Sequence, residues 1–193
     1  MVRHCQLKLL TILLPLLLLG ATPAVAKCTD PPGPKVDWSK CDREKKRLRN
    51  MDLRGAIFER TDLTFSDLSG SNLTGARLTR ATLNSAFFKG ADLSGADLSK
   101  AEFERAVFRD ARLEQVRLAF ADLARADLTG ARLAGADLAG AYTLLTRIEG
   151  TDLSGVTGLS QQQLDITCGD AETLLPEGLT APAAWPCEPE DAD

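Results

Sequence analysis

The chain has 193 residues, 26% of them charged, with 23 basic against 27 acidic side chains and a formal net charge of −4. That moderate charge suits a soluble protein. Its one histidine, His4, falls in a leader expected to be removed, and a chain without histidine can hold neither a Ser-His-Asp triad nor a histidine-bound zinc.

Residues 1–26 carry the pattern of an export signal. Arg3 and Lys8 form a basic start, Leu9 to Leu19 is apolar, and Ala24-Val25-Ala26 is a small-x-small cleavage site. The apolar run falls short of the roughly 20 residues that cross a bilayer. Lys27 ahead of Cys28 argues against a lipoprotein site. Cleavage after Ala26 leaves Lys27 to Asp193, and the loss of Arg3 and Lys8 moves the net charge from −4 to −6. The expected location is the periplasm or the extracellular space, with no membrane span after cleavage.

Residues 27–50 read as an N-terminal cap for the repeat that follows. Asp30-Pro31-Pro32-Gly33-Pro34 cannot continue a regular element, and Trp38 is expected as a lid over the first coil. The basic residues Arg43, Lys45, Lys46, Arg47 and Arg49 alternate with Asp42 and Glu44, which reads as a solvated charged face.

From Met51 to Gly155 the sequence divides into 21 consecutive pentapeptides without an insertion or deletion. The third residue is Leu or Phe in 19 of the 21, and the first is Ala in 14, so the register is not accidental. A period of five fits no helix, where five residues turn about 500° and the leucines would spiral. It fits no flat strand either, where an odd spacing alternates faces. It fits a short extended segment followed by a bend, with residues one and three pointing inward together and the polar residues on the outside. Leu73, Leu93, Leu98, Leu113, Leu118, Leu123, Leu128, Leu133 and Leu138 are therefore core positions. Stacked coils bond above and below at about 4.8 Å per layer, so five coils span roughly 25 Å.

The run Ala91-Asp92-Leu93-Ser94-Gly95-Ala96-Asp97-Leu98-Ser99-Lys100 resembles the pentapeptide repeat family. That resemblance implies an all-β fold, a right-handed quadrilateral β-helix with four pentapeptides per coil and small N- and C-terminal caps. The period alone gives neither the handedness nor the number of sides. Phe87 and Phe88 stand four units before Val107 and Phe108, which supports four sides without excluding three. The unit Ala141-Tyr142-Thr143-Leu144-Leu145 breaks the pattern. It reads as a local bulge covered by the C-terminal tail, or as an exposed interaction patch formed by Tyr142, Leu144 and Leu145.

Residues 156–193 read as a C-terminal cap and tail. Ser160 and Gln163 form a capping box for a short helix, seated by Leu159 and Leu164. Leu174, Leu175, Leu179 and Trp185, interrupted by prolines, read as an extended strap packed along one wall. Cys168-Gly169-Asp170 and Leu175-Pro176-Glu177-Gly178-Leu179 resemble the tails of exported bacterial members of the family. Glu188 to Asp193 reads as a disordered acidic end.

The cysteines left after cleavage are Cys28, Cys41, Cys168 and Cys187, one pair on each flank and none within the repeats. Four cysteines allow three pairings; the short loops favour Cys28–Cys41 and Cys168–Cys187. The spacings lack the close CxxC pairs of a four-cysteine metal site.

The outward residues, sorted onto four walls, show mixed charge. The wall of Leu78, Leu98 and Leu118 carries Arg60, Arg77, Arg80, Lys100 and Arg117 against Glu59, Asp97 and Asp137, a balance of +2. The wall of Leu63, Leu83, Phe103 and Leu123 comes to −2, and the other two to −1 each. Some members of the family mimic DNA and bind DNA gyrase, which requires a dense acidic face that no wall here has. The recurrent aspartates, such as Asp92 and Asp97, sit at the second place of their units on different walls and layers. They read as corner residues rather than as converging calcium ligands. No cofactor, metal or catalytic residue is expected. The sequence reads as an exported, non-catalytic scaffold for a protein or envelope component, without direct nucleic-acid binding; the alternative is a gyrase-binding DNA mimic.

Overall fold

The structure is a computed structural model that describes residues 28–187. The export pattern of 1–26 and the acidic end 188–193 lie outside the described residues.

The unit Ala91–Gly95 shows why the chain coils. The Asp92 N–H donates to the Ser71 carbonyl one layer before (2.9 Å). Leu93 and Gly95 donate to Arg112 and Glu114 one layer after (2.8 and 2.9 Å), and Ala96 closes the corner by donating to Leu93 (2.9 Å). Second-position residues therefore pair in parallel with the second position of the fourth unit on, as Asp92 does with Arg112, so four pentapeptides complete one coil. The column Asp37, Ile57, Arg77, Asp97, Arg117, Asp137, Thr157 passes through seven layers, a rod of about 30 Å.

Each corner needs a left-handed residue. Every fifth residue from Lys35 to Gly150 has a positive φ, and 15 of these are not glycine. A side chain in that region costs roughly 1–2 kcal/mol, which the ladder beside each corner offsets.

First and third residues fill the interior. Leu73, Leu93, Leu98, Leu113, Leu118, Leu123, Leu128, Leu133 and Leu138 are all buried, with Ala76, Ala96 and Ala136 beside them. Phe88 stacks on Phe108 with ring centroids 4.7 Å apart, and Phe103 meets both edge-on. Where the first residue is Thr or Ser, its hydroxyl donates to a third-position carbonyl of the preceding layer. Thr61 bonds Trp38 in this way (2.6 Å), and Thr146 bonds Leu123 (2.7 Å). These buried hydroxyls thus carry no unmet hydrogen bond.

The coil extends beyond the boundaries read from the sequence. Asp37, Asp42 and Arg47 already pair with Ile57, Asp62 and Asp67. Residues 36–50 are therefore three further pentapeptides, not a separate cap. Trp38 is not a lid: it occupies a third position, buried, 5.6 Å from Phe58. The lid is Arg43, the third residue of the next unit. Its guanidinium lies 3.8 Å from the Trp38 ring and donates to the Asp30 carbonyl (3.2 Å), so this arginine belongs to no solvated charged face.

At the other end the register slips while the coil continues. Arg147 pairs with Cys168 and Asp152 with Leu174, so each partner stands later than four pentapeptides would put it, first by one place and then by two. The first added residue accompanies α1 (Gln161–Leu164), which carries the expected capping box at Ser160 and Gln163, and the second falls between Cys168 and Leu174. Leu174 points outward, 55% exposed, because it is the bridge residue of its unit. Gly169 is buried, and a Cβ there would lie 2.5 Å from the Trp185 ring. The indole thus covers the position, and its N–H donates to Thr167 (2.7 Å).

The sulfurs of Cys28 and Cys41 lie 1.93 Å apart, and those of Cys168 and Cys187 lie 2.10 Å apart. Each bond ties an end segment to the nearest coil. Cys168→Ser with Cys187→Ser should lower the melting temperature by removing roughly 3 kcal/mol of loop constraint. Hydrogen exchange should then show the tail loosening from Gly169 while layers around Leu93 to Leu113 keep their protection; loss of protection throughout would overturn the local role. In the core, Leu93→Ala should cost about 2–5 kcal/mol in denaturant titration, and Leu93→Asp should abolish cooperative folding.

Candidate interaction surfaces

The ladder leaves one backbone donor per unit unused, the N–H of the fourth residue. The second-position aspartate takes it: Ser94 donates to Asp92 (3.0 Å), Ser99 to Asp97 (3.0 Å), and Thr129 to Asp127 (3.0 Å). The recurrent aspartates are thus corner acceptors. Among the described residues no group of three or more His, Cys, Asp or Glu side chains is placed to hold a metal ion.

This role holds several carboxyls below the ordinary carboxylate range. For Asp92, burial pushes the other way, but the Ser94 hydroxyl and N–H and the Arg112 charge outweigh it. For Asp127, burial is again outweighed, here by Thr129 and by the Arg109 guanidinium, which bonds the carboxylate directly. For Asp152 the Ser154 hydrogen bonds suffice.

The walls are laced with ion pairs. On the basic wall Arg77 meets Glu59 (3.1 Å) and Arg117 meets Asp97 (3.5 Å). On the acidic wall Arg105 meets Glu104 (3.2 Å). Such exposed pairs contribute about 0–1 kcal/mol each. Where these pairs fall, both signs of charge meet within a layer or between adjacent layers, and among the described residues no continuous acidic face forms.

The unit Ala141–Leu145 keeps the ladder register, since Tyr142 pairs with Asp122. It is therefore not a bulge. Thr143 turns inward, and its hydroxyl donates to the Gln163 carbonyl (2.7 Å), so a polar core residue receives the incoming helix. Beside it, Leu123, Leu138, Leu164 and Thr167 line a void of about 20 Å³. Of the expected patch, Tyr142 is 49% exposed, while Leu144 and Leu145 are half-buried. The Leu145 N–H donates to Ile166 (2.6 Å), so the tail partly covers this region.

The sequence reading missed Phe120, at 64% the most exposed large apolar residue among the described residues. The signal was available: Phe120 stands at the fifth place of its unit, where side chains leave the corner. Its ring lies against Gly140, one layer on, where a Cβ would come within 2.7 Å of it.

The pentapeptide repeats family model matches residues 47–80, 71–110 and 106–142 in eight copies. The chain belongs to the pentapeptide repeat family. No curated protein matches its sequence. Among solved structures, a pentapeptide repeat protein from the thylakoid lumen of Arabidopsis thaliana is 29% identical, covering 56% of this chain and 77% of its own, with a TM-score of 0.49. HetL, a pentapeptide repeat protein involved in heterocyst differentiation regulation in the cyanobacterium Nostoc sp. strain PCC 7120, is 26% identical. It covers 75% of this chain and 76% of its own, with a TM-score of 0.23. QnrB1, a plasmid-mediated fluoroquinolone resistance protein, is 20% identical over 75% of this chain and 77% of its own, with a TM-score of 0.39. The family match describes a structural repeat and no enzyme. Among the described residues no helix is long and apolar enough to cross a membrane.

Asp92→Ala should destabilise the protein by about 1 kcal/mol through the unmet Ser94 N–H, with Asp92→Asn restoring most of the loss, as read by thermal melts. Depressed carboxyl values set the pH dependence. The stability these groups supply is complete above the ordinary carboxylate value and is lost as pH falls through their lowered values. The melting temperature should therefore hold from neutral pH to about pH 4 and drop below it.

Proposed function

We propose that the chain is an exported, non-catalytic scaffold. It is a right-handed quadrilateral β-helix that presents rigid walls to a protein or cell-envelope component in the periplasm or outside the cell. The observation that carries this reading is the fixed placement of outward side chains, which recur every fourth unit in straight columns through the layers. The export pattern of 1–26 and the cysteines confined to the two ends support the location. On this reading 1–26 is a signal segment, the repeats 51–155 are the middle of a solenoid from about 36 to 175, and the caps of 27–50 and 156–193 shrink to the outer parts of those segments. Tyr142, Leu144 and Leu145 form a minor contact region beside Phe120.

Gyrase binding by charge mimicry fits poorly. A DNA mimic needs a dense acidic face, and here Arg105, Arg112 and Arg147 break the acidic columns with ion pairs.

N-terminal sequencing of the protein from its native host should begin at Lys27; a cytoplasmic product retaining Met1 would remove the export reading. In a supercoiling assay the purified mature protein should leave gyrase active, and inhibition at micromolar protein would revive the DNA-mimic reading.

A further inference from the structure

Four cations stand in file on one corner of the rod. Lys40, Arg60, Arg80 and Lys100 are the fifth residues of every fourth unit, so successive layers, about 4.8 Å apart, stack them along the axis. All four are exposed, and all four have left-handed backbone, with φ of 61°, 55°, 57° and 61°. Among the described residues none of them is in an ion pair, although Arg77 and Arg117 on the adjoining wall are both paired. The column combines two unfavourable features: side chains where glycine is the relaxed choice, and like charges one layer apart. Other corners relieve the first with glycine, as at Gly55, Gly75 and Gly95.

The surroundings of the column are polar and hollow. A furrow of about 360 Å³ runs beside it, lined by Ser39, Lys40, Glu59, Arg60, Thr79 and Arg80. It offers cations together with hydroxyls and one carboxylate acceptor. In the next layer after Lys100 the column ends in the exposed ring of Phe120, whose centroid lies 5.9 Å from the Lys100 ammonium.

We propose that this corner binds a linear anionic polysaccharide carrying one carboxylate per sugar, laid along the rod axis. Successive sugars of such a chain turn their carboxylates to different sides, so the carboxylates on the facing side meet cations of the straight column at intervals of two or three layers. Sugar hydroxyls meet Ser39, Thr79 and Glu59, and an apolar sugar face meets the open side of Phe120. Single-stranded nucleic acid is held by stacking successive bases on several aromatic rings, and this column offers one, Phe120; a lipid surface is a plane that would leave the furrow empty. The proposal deepens the scaffold reading by naming the class of its envelope partner, and it rests on that reading for where the glycan is met.

The test uses the mature chain with both disulfides intact and polygalacturonate as probe, with neutral galactan, a thymidine oligonucleotide and phosphatidylglycerol vesicles in parallel. Polygalacturonate should bind, more weakly as salt rises, and galactan should not. Arg60→Gln with Arg80→Gln should weaken binding about tenfold, the scale of two exposed charge contacts. Lys89→Gln with Arg132→Gln, two cations on other columns, should change it less than about twofold on the same scale. Gln115 already occupies an equivalent corner with φ 56°, so glutamine is compatible with the backbone. If the double variant melts early, Arg60→Gln and Arg80→Gln measured singly decide the matter, each weakening binding while the melt is unchanged. No binding to polygalacturonate, equal loss in the Lys89/Arg132 control, or tighter binding to the oligonucleotide or the vesicles would overturn the proposal. A mature protein that starts at Lys27 yet ignores polygalacturonate would leave export standing and remove the glycan. Binding by a protein that is never exported would do the reverse.

Discussion

The corner is the constraint on which the rest of the structure depends. A chain that turns after every five residues must place one residue in each unit at positive φ, a conformation that L side chains adopt at a cost. No single corner is worth that cost in isolation. Twenty-four in succession from Lys35 to Gly150 persist because the ladder fixes them, on both sides in the inner layers and on one side in the first. The same geometry makes the interior narrow. Only two residues per unit face inward, and they must be small and large in turn, as Ala91 and Leu93 are. Stability therefore comes from repetition, each layer stabilised by its neighbours and little affected by distant ones.

Hydrogen bonding follows the same logic. The coil satisfies four of the five backbone donors in a unit such as Ala91–Gly95, and the side chain of Asp92 satisfies the fifth. That residue type recurs because a short acceptor at the second place reaches the fourth N–H and a longer one does not. Asn72 does the same for Thr74 (3.0 Å), so the requirement is for an oxygen at that distance and not for charge. Charge enters as a secondary consequence, setting the response to acid and seeding the ion pairs along the walls.

The period of five made the central repeats legible, because the inner positions there repeat Ala and Leu with few exceptions. The ends were less legible for a physical reason. An end layer has a neighbour on one side only, so its inner positions need not match the repeat. Val36-Asp37-Trp38, Cys41-Asp42-Arg43 and Lys46-Arg47-Leu48 keep the register while changing the composition. Arg43 can occupy a third position because its guanidinium stacks on the Trp38 ring and donates to the Asp30 carbonyl. At the far end the third position of one unit is Gly169, and the group that fills it is Trp185, well beyond it in the chain. No periodicity links that pair. The cysteines were legible because their distribution, one pair per flank, follows from where a solenoid is open.

The surface follows different rules from the core. Positions one, three and, through its hydrogen bond, two are fixed by folding, while the fifth residue projects from a corner that tolerates Lys35, Phe65, Ser85, Asp110 and Gln115 alike. A position that folding leaves so free reports on something other than folding when it is uniform. Lys40, Arg60, Arg80 and Lys100 are uniform in charge, unpaired among the described residues, and followed by an exposed aromatic ring in the same column. Thermal stability alone would favour glycine, or alternating charge, at these four corners. The solenoid separates the two demands in space: the inner residues hold the layers in register, and that register converts four residues distant in sequence into one straight line of charge.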